Sequence, residues 1–550
     1  MDGDPCICEN TKKEESIMKR TLAMILALVM VLSLFAGCGR SNTDTPTEPA
    51  GNAGENNNEG NQTEPQAAAQ QLDLLRVGVT SWPANLDPAT KMGKTCTRWI
   101  VQVYDTLLYA QNDGSVTSYL CESWNQVDEK TYEFKLKEGV TFHNGYPMTA
   151  EDVKFSFDRV LFDESGYVDP NITAVVGTIE SVEAVDALTV RITTKNVDPI
   201  ILDRLASYLG VYIISKQYYE EVGAETFGTA PVGTGPYKIT NITPENMILD
   251  YYEGYYGEAP VAKRLEYRYI AEETALLTGL MTGEIDLAPD LGISSAEILK
   301  AQAPNVQVFN AASSAGHLLR FKTADSNCDS KLLRQALSLA IDRQLLVDTL
   351  WEGYASVPNG YNYPEFGQYY IEDYPTYEYN VEKAKDLLAQ SGYNGAVISY
   401  QLIPGYYAMG AEAAEAIVDM WKAIGVNAQV EYVEAIKTST IVDMANWSNG
   451  LRFSDPLGGL WALWGEGTGP QKDLWDAPER FNELGHLVES ETDVEQRKAY
   501  YREMLEIWDD EVPGTILYCP DAIWAVREGL TWSYESGRAI NLRAEYLTVS

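Results

Sequence analysis

From Leu72 onward, segments with a two-residue apolar period alternate with segments of helical period, and this alternation confines the chain to α/β architectures. Residues 131–137 alternate strictly and stop at Gly139, which predicts a half-buried strand. Residues 74–79 read as another strand, followed by a loop of turn formers through Pro88. Thr149-Ala150-Glu151-Asp152 is a capping box that opens a helix with Val153, Phe157 and Val160 on one side. Residues 178–193 predict two short strands turning at Asp186, and residues 99–108 have helical spacing. Further helices are expected over 331–341, from Arg343 to a stop at Gly353, over 381–390 with Gly392 as the stop, over 411–424 ending at Gly425, and over 493–509. Strands are expected over 398–403, 426–432, 516–518 and 522–526. Residues 72–550 exceed what one core usually spans, so two or three domains are expected.

The N-terminus obeys a different logic. Met18-Lys19-Arg20, an apolar run to Phe35 and Ala36-Gly37-Cys38-Gly39 form a positive region, an apolar region and a small-residue cleavage site. This resembles a bacterial lipoprotein signal in which Cys38 receives lipid, with Phe35 where a leucine is usual. A membrane-spanning anchor is the alternative; residues 21–37 are near its lower length limit and Gly-Cys-Gly is a poor exit. Lys13-Glu14-Glu15 can be encoded by AAG GAG GAA, a purine-rich ribosome-binding sequence. Residues 1–17 are therefore expected to be a translated leader and Met18 the true start. Residues 39–71 hold almost no large apolar side chain and cannot form a core. They are expected to be a flexible tether reaching on the order of 30 Å. The division is thus 1–37 for leader plus signal and 38–71 for lipidated cysteine plus tether, with the protein held at the outer face of the cytoplasmic membrane by acyl chains alone.

Acidic residues outnumber basic ones, 80 to 41, and no basic block stands out in the folded part. Nucleic-acid binding is excluded as an expectation, because phosphate neutralisation needs clustered Lys and Arg. Cys96, Cys121, Cys328 and Cys519 are spread without metal or redox spacing, so at most one disulfide is expected. His143, His317 and His486 stand apart, with no zinc-protease spacing, no nucleophile elbow and no phosphate loop. Gly233-Thr234-Gly235 runs into Pro236 and reads as a tight turn. No catalytic residue, metal site or cofactor is expected.

Several segments, in order, resemble the solute-binding proteins of peptide/nickel-type ABC importers, the dipeptide- and oligopeptide-binding family. They are Tyr104-Asp105-Thr106-Leu107-Leu108; Leu120 to Trp124; Tyr132 through Phe142-His143-Asn144-Gly145; and Thr149 to Val153. Val232-Gly233-Thr234-Gly235-Pro236-Tyr237, Gly283-Glu284-Ile285-Asp286-Leu287, Arg334-Gln335-Ala336-Leu337 with Ala340-Ile341-Asp342-Arg343, and Glu382 to Leu388 follow. The resemblance implies a two-lobed type II periplasmic-binding-protein fold with a hinge. Lobe I would use 72–112, 210–312 and 510–550, an inserted subdomain 113–209, and lobe III 313–509. It also implies a monomeric, non-catalytic receptor that captures a peptide or peptide-like ligand between lobes and passes it to ABC permease subunits with cytoplasmic ATPases. The same role for an oligosaccharide or an anionic solute stays open, as does a secreted hydrolase or a sensing lipoprotein.

In peptide-binding members a segment ending Asp-Tyr-x-Asp/Glu-Pro presents an aspartate to the ligand's α-ammonium. The corresponding stretch here is Asn446-Trp447-Ser448-Asn449-Gly450-Leu451-Arg452-Phe453-Ser454-Asp455-Pro456, with Arg452 at the aspartate position. A guanidinium repels an ammonium and pairs with carboxylate or phosphate. Either Arg452 selects an anionic or hydroxyl-rich ligand, or it is exposed or internally paired and another acid holds the amine. The expected ligand-binding set is Arg452, Phe453, Ser454, Asn449, Trp447, Asn446 and Tyr406. Trp461, Trp464 and Trp475 are expected in the core.

Overall fold

The computed structural model describes residues 71–90, 94–111, 114–534 and 540–549. The leader, the signal, Cys38 and the tether lie outside the described residues, as does the side chain of Cys96.

Two large mixed sheets and one smaller sheet organise the chain. The first has seven strands in the order Val306–Ala311, Ala522–Arg527, Leu287–Ala288, Leu75–Val79, Arg264–Tyr269, Asn246–Tyr251, Tyr237–Ile242. The second has six, in the order Ala355–Ser356, Gly514–Pro520, Gly316–Phe321, Met444–Asn449, Ile398–Leu402, Ala428–Tyr432. A four-stranded antiparallel sheet, Cys121–Asp128, Thr131–Leu136, Thr189–Thr194, Ile179–Asp186, carries the inserted segment. Its strand Thr131–Leu136 buries Phe134 and Leu136 as the alternation requires. The helix Ala150–Leu161 begins at the expected box: the Asp152 carboxylate accepts the Thr149 N–H and hydroxyl, both at 2.9 Å.

The chain passes between the two large sheets at two neighbouring places. Val306–Ala311 runs through 312–315 into Gly316–Phe321, and Gly514–Pro520 runs through Asp521 into Ala522–Arg527. The incoming and outgoing strands pair with each other in both sheets, Ala311 opposite Ala522 and His317 opposite Tyr518. This pair of crossings is the hinge. It also corrects the expected placement of 510–550: Gly514–Pro520 is hydrogen-bonded into the six-stranded sheet, and only the part after Asp521 joins the first. Composition cannot locate such a crossing, because both strands are equally apolar.

A second correction concerns residues 99–108. The helix is Lys94–Val103, and Leu108–Ala110 is a strand. The Val103 carbonyl is taken by the Gly235 N–H at 2.9 Å, and a β-carbon at Gly233 would stand 2.0 Å from that oxygen. The glycine turn thus docks on the helix end and stops it.

Buried ion pairs tie distant segments together. Asp286 receives Arg76 at 2.9 Å and Arg527 at 3.1 Å. Asp105 receives Arg543 at 2.6 Å and the Thr234 hydroxyl at 3.0 Å. Arg334 donates to the carbonyls of Cys328, Asp329, Glu511 and Val512. Cys121, Cys328 and Cys519 are free and buried, with no disulfide among them. Among the described residues no helix is long and apolar enough to cross a membrane.

Candidate ligand site between the lobes

Strand direction identifies where a ligand can lie. In the six-stranded sheet Ile398–Leu402 and Met444–Asn449 run parallel, and Asn449 stands opposite Gly316, the first strand residue after the hinge. Their carboxyl ends, with the loops 403–409 and 450–455, therefore open toward the hinge. In the seven-stranded sheet Leu75–Val79 and Leu287–Ala288 are parallel, and the latter ends beside Ile523 at the hinge side. Ligands of open α/β sheets bind beyond the carboxyl ends of strands, so the two sheets present their binding edges to one interlobe cleft.

One wall comes from the inserted segment. Ser207 Oγ donates to the Arg452 carbonyl at 2.8 Å, and the Arg204 guanidinium lies 4.9 Å from the Phe453 ring centroid. Asp203 faces the Asp455–Arg497 pair; burial first, then the Asp455 charge, push its carboxyl up to about 7. Segment 203–208 thus meets segment 452–455 across the two bodies.

The expected site residues divide by what they touch. Phe453 is buried beneath Arg204, Asn446 accepts the Tyr400 hydroxyl, and Asn449 Nδ2 donates to the Tyr361 hydroxyl at 2.8 Å. These three are held by internal partners. Ser454 is half-buried, and Tyr406 is 65% exposed with its ring against Tyr407. Trp447 is half-buried, edge-on to Trp464 at 5.9 Å, with the Arg320 guanidinium 4.8 Å from its ring. Trp464 and Trp475 are buried in an aromatic core with Trp508 and Phe481, and Trp461 packs at its margin.

Arg452 is half-buried, and among the described residues neither it nor Arg320 has a carboxylate partner or a side-chain hydrogen bond. Every other described arginine is held by an acid or, for Arg343, by carbonyl and hydroxyl oxygens. Burial pulls both guanidiniums below the usual arginine range, with the phenols of Tyr208 and Tyr407 acting in the opposite sense. In so acidic a chain, Arg320 and Arg452 are the two described guanidiniums with neither an acid nor a side-chain hydrogen bond. Arg320 escaped the sequence reading because an arginine inside an apolar strand gives no signal; only its lack of a partner does.

The histidines lie elsewhere in chemical terms. His143 receives the Gly233 N–H on Nδ1 at 3.4 Å and gives Nε2–H to the Gly235 carbonyl at 2.9 Å, and burial lowers it to about 4. It braces the glycine turn as a neutral ring. His317 is ringed by Trp351, Tyr407 and Tyr518, and burial likewise takes it to about 4. His486 lies on the surface between Glu466 and Glu489, whose hydrogen bonds raise it. Among the described residues no group of three His, Cys, Asp or Glu side chains is arranged to hold a metal ion.

Two large sheets joined by paired crossing strands define a two-lobed α/β architecture. Residues 115–471 match the family described as bacterial extracellular solute-binding proteins, family 5 Middle, and the chain belongs to that family. Membership makes it a solute-binding protein rather than an enzyme. It is 26% identical over 472 residues to the nickel-binding periplasmic protein of Escherichia coli K12, covering 78% of this chain and 87% of that one. It is 29% identical over 353 residues to heme-binding protein A of Haemophilus influenzae, covering 59% of this chain and 63% of that protein. The fold is similar to that of the periplasmic binding protein DppA from Helicobacter pylori in complex with the peptide STSA, with a TM-score of 0.74, 23% identity and coverage of 87% and 98%.

Proposed function

We propose that this protein is the extracytoplasmic receptor of an ABC importer, anchored by lipid on Cys38, and that its cargo carries an anion seated on Arg452 in the interlobe cleft. The observation that carries the ligand class is the half-buried Arg452 guanidinium with no carboxylate partner; the resemblance puts it at the peptide binders' aspartate position. Relatives at this distance are named for heme and nickel, and a neighbour in fold holds a peptide. Family membership therefore leaves the ligand to the site. A buried guanidinium is stabilised by a planar oxyanion that accepts two parallel N–H donors. Trp447 and Tyr406 supply aromatic wall, and Ser454 a hydroxyl. A peptide fits only by presenting a carboxylate, rather than its α-ammonium, to Arg452.

The working cycle follows from the hinge. A ligand that touches both 203–208 and 452–455 stabilises the closed form more than the open one, and only that difference drives closure. The closed monomer docks on the permease and releases its cargo chemically unchanged. The tether 39–71 gives the lobes reach above the headgroups, and the acidic surface keeps them off anionic lipid.

Native mass spectrometry of protein purified without added ligand tests the ligand class. A bound acid, recovered intact after denaturation, is expected. A bound cation or neutral compound that is retained by Asp509→Asn and lost on Arg452→Ala overturns it. Membrane fractionation of Cys38→Ser, expected to move the protein to the soluble fraction, tests the anchor.

A further inference from the structure

The six-stranded sheet has a second hollow at its other end. A cavity of about 490 Å³ opens between the helices Lys331–Leu339, Val381–Gln390 and Val494–Glu511, the segment 374–378 and the first residues of strand Gly514–Pro520. That strand enters at Gly514 beside the cavity and leaves at Pro520 into the hinge, a span of about 20 Å. The cavity is thus separate from the interlobe cleft, and its size is that of a small-molecule site.

Asp509 is its chemical centre. Its Oδ2 accepts the Tyr374 hydroxyl at 2.6 Å, while Oδ1 is buried and has no hydrogen-bond partner. Gly360 leaves the approach to the carboxylate bare: a β-carbon there would lie 3.8 Å from Oδ2 and 4.0 Å from Oδ1. The nearby Arg343 does not neutralise it. Its guanidinium stacks on Tyr377 at 4.3 Å and is occupied by the Ile516 carbonyl at 2.7 Å, the Ser338 carbonyl at 3.1 Å and hydroxyl at 3.0 Å, and the Thr515 hydroxyl at 2.5 Å. The lining lysine, Lys383, is taken by Glu378 at 2.8 Å. Glu506 adds further acid at the rim, where Asp510 is taken by Lys331 at 2.7 Å, and Leu339, Leu387 and the Tyr374 and Tyr377 rings form the apolar surface. Burial raises the Asp509 carboxyl to about 6 against the opposing Tyr374 hydrogen bond and Arg343 charge, so it is ionised at neutral pH and under-compensated.

We propose that this cavity is a second ligand site, for a small organic cation, in which Asp509 Oδ1 receives an ammonium or amidinium and the tyrosine and leucine side chains hold its apolar body. A buried carboxylate oxygen without a donor is costly, and a cation fitted against aromatic rings removes that cost. The site does not depend on what the cleft binds.

Calorimetric titration of the purified protein with tyramine, benzylamine and agmatine, and with the uncharged tyramine analogue 4-(2-hydroxyethyl)phenol, tests this. At least one amine is expected to bind and the neutral analogue at least about tenfold more weakly. Asp509→Asn and, independently, Leu387→Trp, which fills the cavity from the helix face, are each expected to weaken the amine by about tenfold or more. Lys135→Ala, on the exposed four-stranded sheet, is expected to leave it unchanged. Circular dichroism and the melting temperature check that each variant is folded. The proposal is overturned if none of the amines binds, if the neutral analogue binds as well, or if amine binding persists in both folded cavity variants.

Discussion

Asp455 and Arg497 form a two-bonded ion pair, 2.6 and 2.8 Å, with both side chains about 1% exposed. The pair fixes the loop that carries Arg452, because Asp455 also accepts the Leu457 N–H at 2.9 Å and Arg497 reaches the Val488 carbonyl at 2.9 Å. Removing one member strands a buried charge. Asp455→Ala is expected to lower unfolding free energy by about 3–5 kcal/mol. Urea unfolding followed by tryptophan fluorescence measures it; a loss under about 1 kcal/mol would mean the pair is solvated in solution.

Asp203 makes the contact between the inserted segment and the Arg452 loop sensitive to pH. Its carboxyl rises to about 7 through burial and through the Asp455 charge. A raised carboxyl binds its proton more tightly in the contact than when exposed. The contact is therefore favoured at low pH and weakens as pH climbs from about 4 to about 7. Small-angle scattering of the ligand-free protein across that range is expected to show the lobes separating at higher pH, and Asp203→Asn is expected to abolish the trend. Identical pH profiles for the two proteins would contradict it.

His143 has the opposite sign. Burial holds it at about 4, so its folded state rejects the proton that the unfolded chain accepts near 6.5. Its contribution is present above about 6.5 and is lost as pH falls toward about 4. Nitrogen-15 spectra of the imidazole are expected to show a neutral Nε2–H ring at pH 6, while His486 is largely protonated. A His143 titration centred near 6.5 would remove it from the glycine turn.

Much of the fold was readable in the chain, for a physical reason. The segments that carry the family resemblance are the ones that brace the fold. Asp105 meets Arg543 and Thr234, Asp286 meets Arg76 and Arg527, and His143 meets the Gly233–Gly235 turn. Their types and order are fixed by long-range contacts that a local pattern records without revealing the partner. The helix stop at Val103 was missed because the feature that ends it lies more than a hundred residues away. The strand crossing at Asp521 was missed because alternation is blind to which sheet a strand joins. The site was less legible. The side chains of Phe453 and Asn449 turn to internal partners, and neither the partnerless Arg320 nor the contact of Ser207 with the Arg452 carbonyl carried a local signature. Which charges lack partners is a property of three dimensions, and no local pattern records it.

The most direct test of an anion seated on Arg452 is calorimetric titration of the co-purified acid, or of its closest available analogue, into stripped wild-type protein and into folded Arg452→Ala and Arg452→Lys. Loss of one partner of a buried charge pair costs about 2–5 kcal/mol. The alanine variant should therefore bind at least about thirtyfold more weakly. The lysine variant, which keeps charge but not the paired donors, should fall between. Equal affinity in all three proteins would contradict the assignment and place the ligand's charge elsewhere.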